Sequence, residues 1–305
     1  MTEEYISELL FHFWKEEPED RAFQIFTSIV EKGLLLSCGN RELIDRFYYK
    51  RKDGQIDFLE AVQNARVCFT DIPQDKFSKH RKQYGKCAVG FSRKTILSWG
   101  GCPAWYLPNH YRELTLQNHA GALVYGLADA IKFIQLVPVL LKLTGKKLIY
   151  NDVELSENEA NERFEFAKQS VLRVSSFIKS MSKEADDHYY LFEREWRIVS
   201  GIRSDYYDNP FKKLSDAEKK ELVSARPEWG KPLESREPRI SAQFSKEPLI
   251  ESFCFFNGIP GQETASERIE KILVPTQQFM ERDKEYVDKN SDLFKKGGPL
   301  IELLE

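Results

Sequence analysis

The 305 residues contain no Cys-x-x-Cys pair, no glycine-rich phosphate loop ending in Lys-Ser or Lys-Thr, no dinucleotide-binding glycine fingerprint and no Gly-x-Ser-x-Gly elbow. Each absence removes the usual support for a chemistry: zinc ribbons, P-loop nucleotide hydrolysis, Rossmann dehydrogenases and serine hydrolases. Cysteine is sparse. Cys38, Cys68, Cys87, Cys102 and Cys254 are scattered and odd in number, which fits reduced thiols better than a disulfide framework. No His/Cys set has metal-ligand spacing, so no metal is expected. Charge of one sign is also missing. Lys and Arg number 45 against 48 Asp and Glu, a net charge of −3, so bulk electrostatics do not predict tight nucleic-acid binding. Thr2-Glu3-Glu4 is acidic where a secretory leader is basic, and the apolar run Ala120–Leu143 is broken by Asp129, Lys132 and Lys142. The expectation is a cytoplasmic chain with no membrane contact and that run as a buried helix.

What is present is a chain with 41% hydrophobic and 13% aromatic residues, ample for a core. Leu9–Trp14 reads as a buried strand carrying His12. Glu19–Lys32 has Phe23, Phe26, Ile29 and Val30 at helical spacing, with Gly33 placed to end the helix in a left-handed conformation, and Leu34–Ser37 returns as a strand. Residues 41–64 are polar and mixed, with a turn at Asp53-Gly54. Val67–Pro73 is a buried strand stopped by its proline, 74–83 a basic helix or loop, 84–91 a further strand, and 104–107 another after the Gly100–Pro103 turn. A helical stretch spans 113–143 with Pro138 inside, and an amphipathic helix is expected over Asn158–Met181. Its apolar stripe, Phe164, Ala167, Val171, Val174, Ile178 and Met181, reads as core-facing. Residues 204–239 read as an exposed, irregular excursion with a short solvated helix at 214–225. Leu249–Phe256, the strand Lys271–Pro275 and a terminal helix close the chain.

One stretch stands apart. Phe192–Val199 reads as a strand with Glu193, Glu195, Arg197 and Val199 on one face. Two carboxylates so placed are roughly 6–7 Å apart, a costly arrangement unless each is solvated, paired or in use. Arg197 is expected to pair with a nearby acid, Trp196 to lie in the core, and His80, His110, His119 and His188 to be ordinary surface or core residues.

In their order, these segments resemble the AbiGi abortive-phage-infection family. The resemblance rests on Leu10-Phe11-His12-Phe13 with Gly33-Leu34, on Val67–Pro73 followed by His80 and Tyr84-Gly85, on Glu193–Arg197 and on Ile272–Pro275. The layout also resembles the ADP-ribosyltransferase superfamily. That resemblance implies an α+β fold with a split, mixed or antiparallel sheet and flanking helices, as a single domain over 1–305 with a helical insertion at 113–181. It implies NAD as substrate, with no metal. His12 would hold the adenosine-side ribose, Phe69 and Thr70 would line the nicotinamide pocket, and Tyr84 would stack on nicotinamide. Glu195 would be the catalytic acid, Glu193 the partner acting on the acceptor, and Tyr189 and Tyr190 would meet that acceptor. A carboxylate at the ribose stabilises the oxocarbenium charge that builds as nicotinamide leaves, an effect worth about 10²–10³ in rate for comparable groups. Thr70 following Phe69, rather than a plain Tyr, departs from the superfamily's pattern.

Two functional expectations follow. The first is an NAD-dependent ADP-ribosyltransferase that serves as an anti-phage effector or toxin, modifying a protein or nucleic acid. The alternative is a non-catalytic binding module, an antitoxin or sensor of an abortive-infection system, with a defence-system partner.

Overall fold

The computed structural model describes residues 7–37, 44–50, 56–62, 64–108, 119–145, 147–150, 152–181, 194–200, 210–232 and 248–304. The expected opening strand is β1 (Leu9–Trp14), and the expected helix is α1 (Glu19–Lys32). Ala22, Phe26, Ile29 and Val30 form its buried stripe, while Glu19 and Asp20 in the first turn and Lys32 in the last complement the helix dipole. Gly33 ends α1 at φ +94°, but its ψ of −170° is extended rather than helical. A β-carbon there would stand 2.4 Å from the Phe256 carbonyl oxygen, so both conformation and space require glycine.

The chain continues through β2 (Leu34–Leu36), a hairpin of β3 (Ile44–Lys50) and β4 (Ile56–Val62), β5 (Arg66–Thr70), α2 (Ser78–Tyr84), β6 (Cys87–Ser92), α3 (Arg93–Ser98), β7 (Cys102–Pro103) and β8 (Trp105–Pro108). Two long helices, α4 (His119–Thr144) and α5 (Glu157–Ser175), flank the short hairpin of β9 (Ile149–Tyr150) and β10 (Val153–Glu154). After β11 (Ile178–Met181) and β12 (Glu195–Val199) come β13 (Phe211–Lys213), α6 (Asp216–Ala225), β14 (Cys254–Phe256), β15 (Lys271–Val274), α7 (Gln277–Lys289) and β16 (Leu300–Leu303).

The fold is mixed α+β. Its main sheet has seven strands in the order β16-β15-β6-β1-β5-β12-β7, antiparallel throughout except for the parallel pair β15–β16. A separate three-stranded sheet, β13-β14-β2, ties residues 34–36 to 254–256. The larger core lies on the sheet face carrying Leu10, Trp14, Phe69, Phe91, Trp196 and Ile272, covered by α1, α7 and the three-stranded sheet. A smaller core on the opposite face gathers Phe11, Ile72, Phe77, Ala88, Leu273 and Leu304.

Several expectations are corrected. Residues 41–64 hold the paired strands β3 and β4, and the turn expected at Asp53-Gly54 lies outside the described residues. The helix expected to reach Met181 ends at Ser175, because β-branched Ile178 and its neighbours pair in parallel with β8. Its stripe is not all core: Val174 is exposed. The expected buried helix at 120–143 forms as α4, yet Phe133, Leu136, Val139, Leu140 and Leu143 are exposed on it. No helix among the described residues is long and apolar enough to cross a membrane. Within 204–239, α6 is solvated as expected and carries a capping box between Ser215 and Glu218, but Leu214 and Trp229 beside it join the core.

Asp283 on α7 is an acid in that core. It is 3% exposed, and its Oδ1 has no hydrogen-bond partner. Burial pushes its carboxyl up to about 7, with the Arg282 guanidinium opposing. Between about pH 4 and pH 7 the folded chain therefore holds a proton that the unfolded chain has released, so stability falls as pH rises through this window, by on the order of 4 kcal/mol in all. Asp283→Asn should flatten this slope and raise the midpoint of urea unfolding at pH 8, while changing little at pH 4; equal shifts at both pH values would refute the assignment.

Candidate functional site

β5 lies between β1 and β12, so three of the segments singled out in the sequence are neighbours. The pairing registers decide which side chains share a face. Glu195 is opposite Thr70, Trp196 opposite Phe69 and Arg197 opposite Cys68, while Phe11 is opposite Thr70. Paired residues project to the same side and successive residues alternate. Thr70, Cys68, Glu195, Arg197 and Phe11 thus occupy one face. His12 follows Phe11 and belongs to the other, where its ring stands 6.0 Å from that of Phe69.

His12 is engaged locally. Its Nδ1 donates to the Cys68 carbonyl oxygen at 2.9 Å, which fixes the tautomer, and burial holds its pKa below the usual imidazole value. Phe69 is 2% exposed and packs edge-on to Phe91 as well as to His12, as a core residue does. Thr70 is equally buried. Tyr84 sits at the end of α2, stacked 4.4 Å from His80, which in turn packs on Phe13. Phe13 shares the Phe11 face, so Tyr84 belongs with a different aromatic group from His12 and Phe69. Glu193, Tyr189 and Tyr190 lie outside the described residues. The structure therefore brings Thr70 and Glu195 together, and His12 and Phe69 together, on opposite faces. Tyr84, through His80 and Phe13, belongs to the face of Thr70 and Glu195, so His12 and Phe69 do not line one wall with the other three.

The Glu195 carboxylate has a structural task. Arg197, two residues on and on the same face, is 1% exposed, and its Nε donates to Glu195 Oε1 at 2.7 Å. A guanidinium so buried needs a counter-ion, and Glu195, 11% exposed, supplies it. The other end of Arg197 donates from Nη1 to the Ser176 carbonyl at 2.6 Å, where α5 gives way to β11. Asn64 N–H donates to Ser176 Oγ, and Trp105 N–H to the Phe177 carbonyl. The Glu195 backbone is held as well: its N–H donates to the Tyr106 hydroxyl, and its carbonyl accepts from Ala104. Burial, and next the Glu195 carboxylate, push the neighbouring Cys68 thiol up to about 12, so it stays protonated and unreactive. The expectation that Arg197 pairs with an acid, and that Trp196 is core, agrees with the structure.

A second charged group escaped the sequence reading. Asp71, 2% exposed, follows β5 and accepts both guanidinium nitrogens of Arg93 at 2.7 and 2.9 Å, as well as Arg194 Nη2 at 3.2 Å and Ser7 N–H at 3.2 Å. Arg93 also donates to the Ser7 carbonyl and lies 5.3 Å over the Trp196 ring. Arg194 takes φ +40°, a left-handed value that turns its side chain back onto Asp71. Asp71 stood in the sequence beside Pro73 as an ordinary strand-end residue. Its partners are 22 and 123 positions away, too far for any local pattern to reveal.

These contacts make Glu195 a residue whose loss is felt as stability. Glu195→Ala should cost about 3 kcal/mol by stranding a buried guanidinium, and replacing Glu195 and Arg197 together by Met should recover most of it. Urea unfolding of the three proteins measures this; a Glu195→Ala protein as stable as the parent would contradict the pairing.

One protein family matches the chain, over residues 38–226: that described as "Putative abortive phage resistance protein AbiGi, antitoxin". No curated protein and no solved structure matches. The family's description as an antitoxin overturns the first functional expectation, an ADP-ribosyltransferase effector, in favour of the alternative. The ADP-ribosyltransferase layout and NAD find no support in these comparisons. Since the match spans more than half of its residues, the chain belongs to the AbiGi family.

Proposed function

We propose that this protein is a non-catalytic binding module, an antitoxin that restrains a partner within an abortive-infection system. The observation that carries this reading is the family match over residues 38–226, whose description names an antitoxin. The chemistry of the site supports it. An acid serving as an electrostatic catalyst must be aimed at a reacting atom, whereas Glu195 is turned onto Arg197. A ribose-binding imidazole must present its ring nitrogens to a ligand, whereas His12 spends one on the Cys68 carbonyl and lies on the other face from Glu195. Work of this kind needs a stable surface rather than turnover, and a partner is recognised by shape and by a few desolvated anchors.

The test is co-expression with a candidate toxin of the same abortive-infection system. The wild-type chain should restore growth, and a folded His12→Ala variant should do so equally well, because no catalytic step depends on that ring. The purified chain incubated with NAD should release no nicotinamide. Growth arrest by the chain alone, relieved in a folded Glu195→Gln variant, would overturn the proposal.

A further inference from the structure

The group around Asp71 carries one more positive charge than its own contacts offset. Arg93 grips the buried carboxylate with both Nη atoms, and Arg194 Nη2 reaches the same Oδ2 that Arg93 Nη1 holds. The two guanidiniums meet on one oxygen, so nitrogens of both lie within about 6 Å of each other. Like charges this close repel, and one carboxylate offsets only one of them. Among the described residues no other acid pairs with either arginine. Both side chains also reach water, that of Arg93 being 26% exposed and that of Arg194 30%. Among the described residues nothing accepts from Arg194 Nε or Nη1, or from Arg93 Nε.

The pair is held in place. Arg93 is fixed by Asp71, by the Ser7 carbonyl and by the Trp196 ring beneath it. Arg194 sits at φ +40°, a value that residues other than glycine rarely take. Within the chain that conformation gains one 3.2 Å bond, to a carboxylate already gripped twice by Arg93. A residue kept in a sparsely populated conformation with donors unspent points to a ligand that uses them. We propose that Arg93 and Arg194 together bind a phosphate group. Guanidinium forks match phosphate oxygens, and two forks from different segments suit three oxygens that do not share a plane. A carboxylate ligand offers two oxygens in one plane and a single charge, whereas phosphate brings between one and two and neutralises the excess. The site lies at the junction of β5, β12 and α3 and does not rest on the antitoxin reading.

Titration calorimetry of the full chain at constant ionic strength tests it, with inorganic phosphate, glycerol 3-phosphate and acetate as probes. Both phosphates should bind one to one, at least tenfold more tightly than acetate. Tighter binding of glycerol 3-phosphate than of inorganic phosphate would identify a monoester as the ligand, and equal affinities the free ion. Arg194→Gly accepts the left-handed backbone freely and leaves the Arg93–Asp71 pair intact. With an unchanged circular dichroism spectrum, it should bind phosphate at least tenfold more weakly. Should it fail to fold, Arg194→Gln takes its place with the same expected loss. A wild type that binds neither phosphate, or binds both no better than acetate, overturns the proposal. So does a folded Arg194 variant with the parent's phosphate affinity.

Discussion

A guanidinium with 1% of its surface exposed dictates much of what surrounds it. Arg197 cannot shed its charge, so its burial next to the core requires an anion on one side and carbonyl oxygen on the other. Glu195 provides the first and Ser176 the second. Because Ser176 closes α5, the same side chain fastens the helical segment to the sheet. Its neighbours Asn64 and Trp105 secure that junction through backbone hydrogen bonds. A carboxylate spacing that suggests catalysis in a sequence is thus, for the acid whose surroundings are described, the counter-charge of a joint.

Asp71 works in the same way just beyond the end of β5, next to the Thr70 that faces Glu195. One carboxylate receives two arginines and a backbone N–H, and by doing so pins the start of the chain and the entry to β12 onto the central strand. Cys68, Phe69 and Thr70 run alongside the Arg197–Glu195 pair and lead into Asp71, each buried or engaged, so the C-terminal part of the strand is stiffened. This is the character of a platform: a rigid interior from which surrounding elements present surfaces.

The local elements were largely legible. β1, α1, β2, β5 and β15 stand where alternation, helical spacing and stop residues put them, because each of those signals comes from residues within one or two turns. What escaped notice depends on distant partners. β3 and β4 carry mixed sequences without clean alternation, and they pair with each other, so neither reads as a strand alone. Ile178–Met181 continues the apolar spacing of α5 yet becomes a strand because β8 offers it a parallel edge. The strands that carry the singled-out residues were legible, but not the faces those residues share. His12, Phe69, Thr70 and Glu195 do lie on adjacent strands, but whether neighbours share a side is fixed by register, and a shift of one residue reverses the answer. The resemblance to the AbiGi family agrees with the family match over residues 38–226, while the effector role expected from the same layout was not upheld.

The strand order bears on where this fold can be divided. The family match begins at residue 38 and ends at 226, taking in β5, β6, β7 and β12 of the main sheet but leaving β1, β15 and β16 outside. β1 is the strand that joins β6 to β5. A fragment trimmed to the shared region would separate into an orphan β6 and a three-stranded remnant, each with raw hydrogen-bonding edges and an uncovered apolar face. The stretch that defines kinship is therefore not a stretch that can stand alone: heredity and mechanical integrity have different boundaries in this molecule.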